Sequence, residues 1–192
     1  MEECVPDKRW ALFLDRDGVI NRRIPGGYVR HWEEFHFLEG VLPAIRRLSR
    51  HFGPTVIVTN QQGIGKGLMS EDDLKAIHEK MLRAIQAHGG RIDGIYHCPD
   101  LAGKANNCRK PAPTMALQAQ KDLPGIDFSK SLMVGDTLSD MHFGRSLGMQ
   151  TAWIAAPPAG KEPRREEEAE GWADYQFESL PALADFFCPG TA

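Results

Sequence analysis

The 192-residue sequence contains no apolar run approaching the roughly 20 residues needed to cross a bilayer, so no transmembrane helix is expected. Cysteine is scarce. Cys4, Cys98, Cys108 and Cys188 are too few and too scattered for a disulfide framework, and reduced thiols are the expectation. Basic residues are not in excess either: a net charge of −3 leaves no electrostatic footprint for nucleic acid or an anionic membrane. The opening segment MEECVPDKRW lacks the basic start and apolar stretch of a secretory leader. These absences point to a cytoplasmic, monomeric protein whose partner is a small molecule. With 42% hydrophobic and 26% charged residues, the chain has the composition of one globular domain spanning residues 1–192.

Short apolar runs alternate with amphipathic segments along most of the chain. Trp10-Ala-Leu-Phe-Leu14 and Thr55-Val-Ile-Val-Thr59 read as strands covered on both faces. Ile92 to His97, Ser131 to Val134 and Thr151 to Ile154 read as further strands. Helices fit Val41 to His51, a segment from Ser70 to Gly89, Pro111 to Leu123, and Ser139 to Leu147. Ser70 and Asp73 have the spacing of a capping box, and Gly53 and Gly89-Gly90 are stop signals. Strands separated by helices predict an α/β fold, a doubly wound parallel sheet. No gap is long enough for a large cap domain. The Pro-, Gly-, Glu- and Arg-rich stretch from Ala156 to Gly171 is the one break in composition, and its Arg164 to Glu168 run reads as a solvated loop or helix face.

Ligands of open α/β sheets bind beyond the carboxyl ends of the strands. Four groups sit at such ends: Asp15-Arg-Asp17-Gly, Thr59-Asn60-Gln61, Arg109-Lys110-Pro111, and Gly135-Asp136 followed by Asp140. Each alone is an ordinary turn or helix cap; their joint order is what points to chemistry. Asp15 and Asp17 repel unless a cation lies between them or one is protonated, and Asp136 adds a third hard oxygen donor of the kind Mg²⁺ prefers. One carboxylate can attack phosphorus while the other transfers a proton. Lys110, the Thr59 hydroxyl and nearby backbone N–H groups can then hold the transferring phosphoryl group. A non-catalytic phosphate-binding module would be expected to lack one of Asp15, Asp17, Lys110 or Asp136, and all four are present.

These motifs resemble those of the haloacid dehalogenase superfamily: Leu14-Asp-Arg-Asp-Gly-Val-Ile-Asn21 the first, Val58-Thr-Asn60 the second, Lys110 the third, and Gly135-Asp-Thr-Leu-Ser-Asp140 the fourth. The resemblance implies Asp15 as nucleophile and Asp17 as acid/base. It implies Mg²⁺ on Asp15, Asp136 and the Asp17 main-chain carbonyl, with Thr59 and Lys110 on the phosphoryl group and Asp140 supporting from behind. Thr59-Asn-Gln-Gln-Gly63, the Cys98-Pro turn and Cys108-Arg-Lys-Pro111 are similar to the branch of heptose bisphosphate and histidinol-phosphate phosphatases. Gly27-Tyr-Val29 is more like the heptose enzymes. That branch implies a sugar phosphate or bisphosphate substrate, bound with help from Asn60 and Gln61, with Arg109 on the far phosphate. Its members often carry a loop zinc. Here Asp100 and Asn106 replace two expected ligands and leave Cys98 and Cys108, so a packed loop without zinc is expected. Gly63-Ile-Gly-Lys-Gly67 lacks the spacing of a nucleotide P-loop and reads as a turn whose Lys66 can reach substrate; His78 reads as structural.

Overall fold

The computed structural model describes residues 6–155 and 171–190. Six strands, β1 (Ala11–Leu14), β2 (Thr55–Asn60), β3 (Gly94–Cys98), β4 (Ser131–Gly135), β5 (Gln150–Ile154) and β6 (Tyr175–Phe177), form one parallel sheet in the order β3-β2-β1-β4-β5-β6. Strand order reverses at the β1/β4 boundary, where a doubly wound sheet opens its ligand crevice. The helices are α1 (Val41–His51), α2 (Gln62–Gly65), α3 (Glu71–Ala87), α4 (Thr114–Asp122), α5 (Leu138–Ser146) and α6 (Leu180–Phe187).

Alternation along the strands divides the core. Leu12, Leu14, Ile57, Leu132 and Val134 pack with α1, α3 and α6, whereas Ala11, Phe13, Val56, Val58 and Met133 face α4 and α5. Both faces of the central strands are therefore dry, which is why they read as continuous apolar runs. Ser70 caps α3 as expected, its Oγ accepting from the Asp73 N–H while Asp73 Oδ2 accepts from the Ser70 N–H.

Several boundaries differ from the sequence reading. α4 begins at Thr114 rather than Pro111, because the Ala112 N–H closes a turn on the Arg109 carbonyl and Pro113 takes the N-cap. β3 starts at Gly94, since Asp93 turns away to clamp Thr55: its Oδ2 accepts from the Thr55 N–H at 2.8 Å. Residues 63–67 are not simply a turn, as Gln62–Gly65 closes one helical turn. β6 and α6 were not legible in advance. Three residues carry little period, and α6 owes its place to α1, where Arg47 reaches Asp185 at 2.5 Å and the Cys188 carbonyl at 2.8 Å. The Arg164 to Glu168 run lies outside the described residues.

The expectation of reduced thiols is corrected at two positions. Cys98, at the end of β3, and Cys108 are joined in a disulfide with Cα atoms 5.5 Å apart. The intervening loop folds back on Asp100, whose Oδ2 accepts from the Cys108 N–H at 3.1 Å and so brings the two cysteines together. Ligand atoms of Cys98, Asp100 and Cys108 lie within 4.8 Å of one another in this loop. Among the described residues no helix is long and apolar enough to cross a membrane. Ser70→Ala, which deletes the α3 cap, should lower unfolding free energy by about 1 kcal/mol, read as a reduced urea midpoint at unchanged slope.

Candidate active site

The β1/β4 ladder pairs Leu14 with Val134, so Asp15 and Asp136 emerge side by side as the two strands end. Both are buried, at 5% exposure each. Asp140, fully buried on the first turn of α5, brings a third carboxylate; ligand oxygens of Asp15, Asp136 and Asp140 all lie within 4.8 Å of one another. Glycines make this approach possible. Gly18 has φ +100°, and a Cβ there would collide with the Asp136 carboxylate; a Cβ on Gly135 would collide with Asp140.

Lys110 enters from the loop before α4 and binds this cluster together. Its Nζ forms ion pairs with Asp15 Oδ1 at 2.8 Å and Asp140 Oδ1 at 2.6 Å, and donates a hydrogen bond to the Val58 carbonyl at 2.7 Å. Asn60 secures the lysine backbone, its Oδ1 accepting from the Lys110 N–H at 3.0 Å. Asp140 is held in turn by the Thr137 N–H and hydroxyl, both donating to Oδ2. Burial is the main influence on Asp15: opposed by Lys110 but reinforced by the Asp140 charge, it pushes the carboxyl up to about 6. Burial works against the Lys110 ammonium too, and the charges of Asp140 and Asp15 outweigh it, raising its pKa.

Asp17 occupies a different environment. Burial disfavours its charge, yet the Arg16 guanidinium and hydrogen bonds from Asn21, Arg16 and Gln61 hold the carboxyl below its ordinary range. Arg16 Nη2 reaches both Asp17 oxygens, at 3.1 and 3.0 Å, and Asn21 Nδ2 and Gln61 Nε2 each donate at 2.9 Å. Gln61 also donates to Thr59 Oγ1 at 2.9 Å. This amide therefore links Thr59 to Asp17 from a buried position at the cavity wall.

A cavity of about 410 Å³ opens over these groups, lined among others by Asp15, Thr59, Lys110, Tyr28, Lys66 and Arg109. All the expected phosphate-handling residues border it except Asp136, which lies just beneath, beside Gly18. Arg109 Nη1 is buried without a hydrogen-bond partner. The Lys66 ammonium stands 5.2 Å from the Tyr28 ring centroid, so the Gly27-Tyr-Val29 segment and the turn after α2 form one wall.

Two side chains at the site escaped sequence reasoning. Arg16 was visible only as the middle of the Asp-x-Asp motif; its side chain is fully buried and also contacts His78 Nε2 at 3.1 Å. Arg23 lies beyond the end of the first motif and carried no signal. Its Nη2 sits 2.5 Å from Asp136 Oδ1, 3.0 Å from the Asp17 carbonyl and 3.8 Å from Asp15 Oδ2. Those are the three residues expected to hold Mg²⁺, and a cation does lie among them. Hard oxygen donors converging on a positive group fit a divalent ion.

His78 sets a pH dependence. Burial, then Arg16, lowers its pKa to about 3, and an arginine N–H can bond Nε2 only when that nitrogen is unprotonated. An unfolded histidine titrates near 6.5, at about the value of model peptides. Its stabilising contribution is therefore complete above that pH and is lost as pH falls toward 3. His78→Gln keeps an acceptor that cannot titrate, so its urea midpoint should fall less steeply than the parent's between pH 6.5 and 4.

With the geometry in place, comparison with known proteins is informative. Residues 107–183 match the HAD-hydrolase-like family model. A D-glycero-alpha-D-manno-heptose-1,7-bisphosphate 7-phosphatase from Mycobacterium bovis is 38% identical over 172 residues, 90% of this chain and 88% of that protein. A D-glycero-beta-D-manno-heptose-1,7-bisphosphate 7-phosphatase from Haemophilus influenzae is 39% identical, covering 90% of this chain and 94% of its own. The crystal structure of D,D-heptose 1,7-bisphosphate phosphatase from B. bronchiseptica, complexed with magnesium and phosphate, superposes with a TM-score of 0.80 at 30% identity, covering 92% of this chain and 97% of that one. The chain is a phosphatase of the haloacid dehalogenase superfamily and belongs to the family that includes these heptose-1,7-bisphosphate 7-phosphatases.

Proposed function

We propose that the protein hydrolyses the 7-phosphate of a D-glycero-D-manno-heptose 1,7-bisphosphate through a phospho-aspartate at Asp15, with Mg²⁺ as cofactor. The observation that carries this reading is the convergence of Asp15, Asp136 and Asp140 on Lys110 at the β1/β4 crevice. Asp15, Asp136 and the Asp17 carbonyl would hold Mg²⁺, which supplies charge neutralisation for nucleophile and phosphate. Asp15 Oδ attacks phosphorus, the bond from phosphorus to the sugar oxygen breaks, and the departing alkoxide takes a proton from Asp17. Water then attacks the phospho-aspartate, its proton passing to Asp17, and inorganic phosphate and free Asp15 result. Lys110 and Thr59 face the transferring oxygens, and both are buried and positioned beforehand by Asn60 and Gln61.

The donors around Asp17 bias these two halves differently. They favour its ionised form, so Asp17 stands ready as the acceptor for the water's proton but must first gain a proton before it can supply one to the leaving oxygen. Across the cavity, the unpartnered Nη1 of Arg109 supports its role on the 1-phosphate, for which a guanidinium fork is suited. Lys66 adds a second cation on the same cavity wall as Tyr28.

A phosphate-release screen over heptose 1,7-bisphosphate, heptose 7-phosphate and histidinol phosphate, with and without Mg²⁺, tests the assignment. The bisphosphate should be the best substrate and EDTA should abolish turnover; equal or better turnover of histidinol phosphate refutes the substrate. Asp15→Asn should fall to background, and Asp17→Asn should lower kcat by about 10²- to 10⁴-fold with the fold retained. Arg109→Met should raise KM for the bisphosphate roughly 10- to 100-fold, the equivalent of one charged hydrogen bond, while leaving kinetics on the 7-monophosphate nearly unchanged.

A further inference from the structure

We infer that Arg23 is an internal counter-ion: without metal its guanidinium occupies the divalent-cation position, and Mg²⁺ binds only by displacing it. This rests on the assignment of Asp15, Asp136 and the Asp17 carbonyl as the metal's oxygens. Arg23 engages the same three groups with one nitrogen, at 2.5 Å from Asp136, 3.0 Å from the Asp17 carbonyl and 3.8 Å from Asp15, and its Nε adds a second contact to that carbonyl at 3.2 Å. Mg²⁺ binds oxygen at about 2.0–2.1 Å and keeps several waters. A nitrogen already in contact with the same oxygens leaves no volume for that shell, and two cations so close repel.

Burial decides which cation can give way. Around the crevice Asp15, Asp17, Asp136 and Asp140 pair with Arg16, Lys110 and Arg23. Arg16 and Lys110 cannot be the ones that yield, because both are almost wholly buried, Arg16 bonded to His78 and Asp17 and Lys110 to the Val58 carbonyl. Arg23 can: its side chain is one-third exposed and borders the cavity, so it can rotate into the space where a substrate phosphate arrives. One residue thus holds the carboxylates apart before metal binds and meets the phosphate afterwards. A site self-occupied in most metal-free molecules binds its ion more weakly by the fraction left open.

The test is a Mg²⁺ titration followed by thermal unfolding of the EDTA-treated protein, with no substrate present. Arg23→Gln should show a lower Tm without metal and a Mg²⁺ half-saturation roughly three- to tenfold below the parent's. Arg23→Lys, which keeps the charge but loses the fork, should fall between them and guards against a glutamine variant that folds poorly. Crystals of the parent grown in EDTA and in MgCl₂ give a second reading: Arg23 should contact Asp136 only in the first. Variants that bind Mg²⁺ no more tightly than a responsive parent, or Arg23 still on Asp136 beside a bound ion, overturn this inference alone. A parent showing no Mg²⁺ response overturns the metal assignment and the inference together.

Discussion

The ammonium of Lys110, held between Asp15, Asp140 and the Val58 carbonyl, is the contact on which the rest of the site depends. Two carboxylates at adjacent strand ends would repel strongly in a dry crevice, and burial already pushes Asp15 up to about 6. A buried lysine with three acceptors turns that repulsion into a fixed geometry. Removing it would leave uncompensated buried charge, the costliest kind of deletion. The fold supplies the rest: β1 and β4 deliver Asp15 and Asp136, the start of α5 delivers Asp140, and the loop before α4 delivers the lysine.

Around this core, positioning is achieved by residues that touch one another. Asn60 holds the backbone of Lys110, Gln61 joins Thr59 to Asp17, and Arg16 links Asp17 to His78. Such networks keep reacting groups within a narrow range of geometry before substrate arrives, which is where electrostatic catalysis gains most. Gly18 and Gly135 contribute by what they lack, since any side chain there would fill the space the carboxylates need. Space as well as charge is specified at these two positions.

Much of this was legible in the chain. The central strands declared themselves because both faces are buried, and α3 because its cap and apolar stripe agree. Asp15, Asp17, Thr59, Lys110 and Asp136 were identified because each follows or precedes an element that ends at one edge. Gln61 was grouped with substrate contacts; it lines the cavity and its amide also donates to Asp17 and Thr59, a matter of rotamer that sequence does not encode. Cys98 and Cys108 read as separate thiols because ten residues of loop conceal how closely their Cα atoms return. Arg23 was missed because nothing near it in sequence resembles a ligand set; its partners are Asp136, far along the chain, and a main-chain carbonyl.

Sequence alone determined the sheet-forming runs, the helix caps and the chemical types at the strand ends, because these follow from periodicity and local propensity acting over a few residues. Only the tertiary structure decided which oxygen faces which cation. The register of β1 against β4, the closure of the Cys98–Cys108 loop and the seat of Arg23 among three oxygens depend on contacts between distant segments, and their energies exist only once the sheet has brought those segments together.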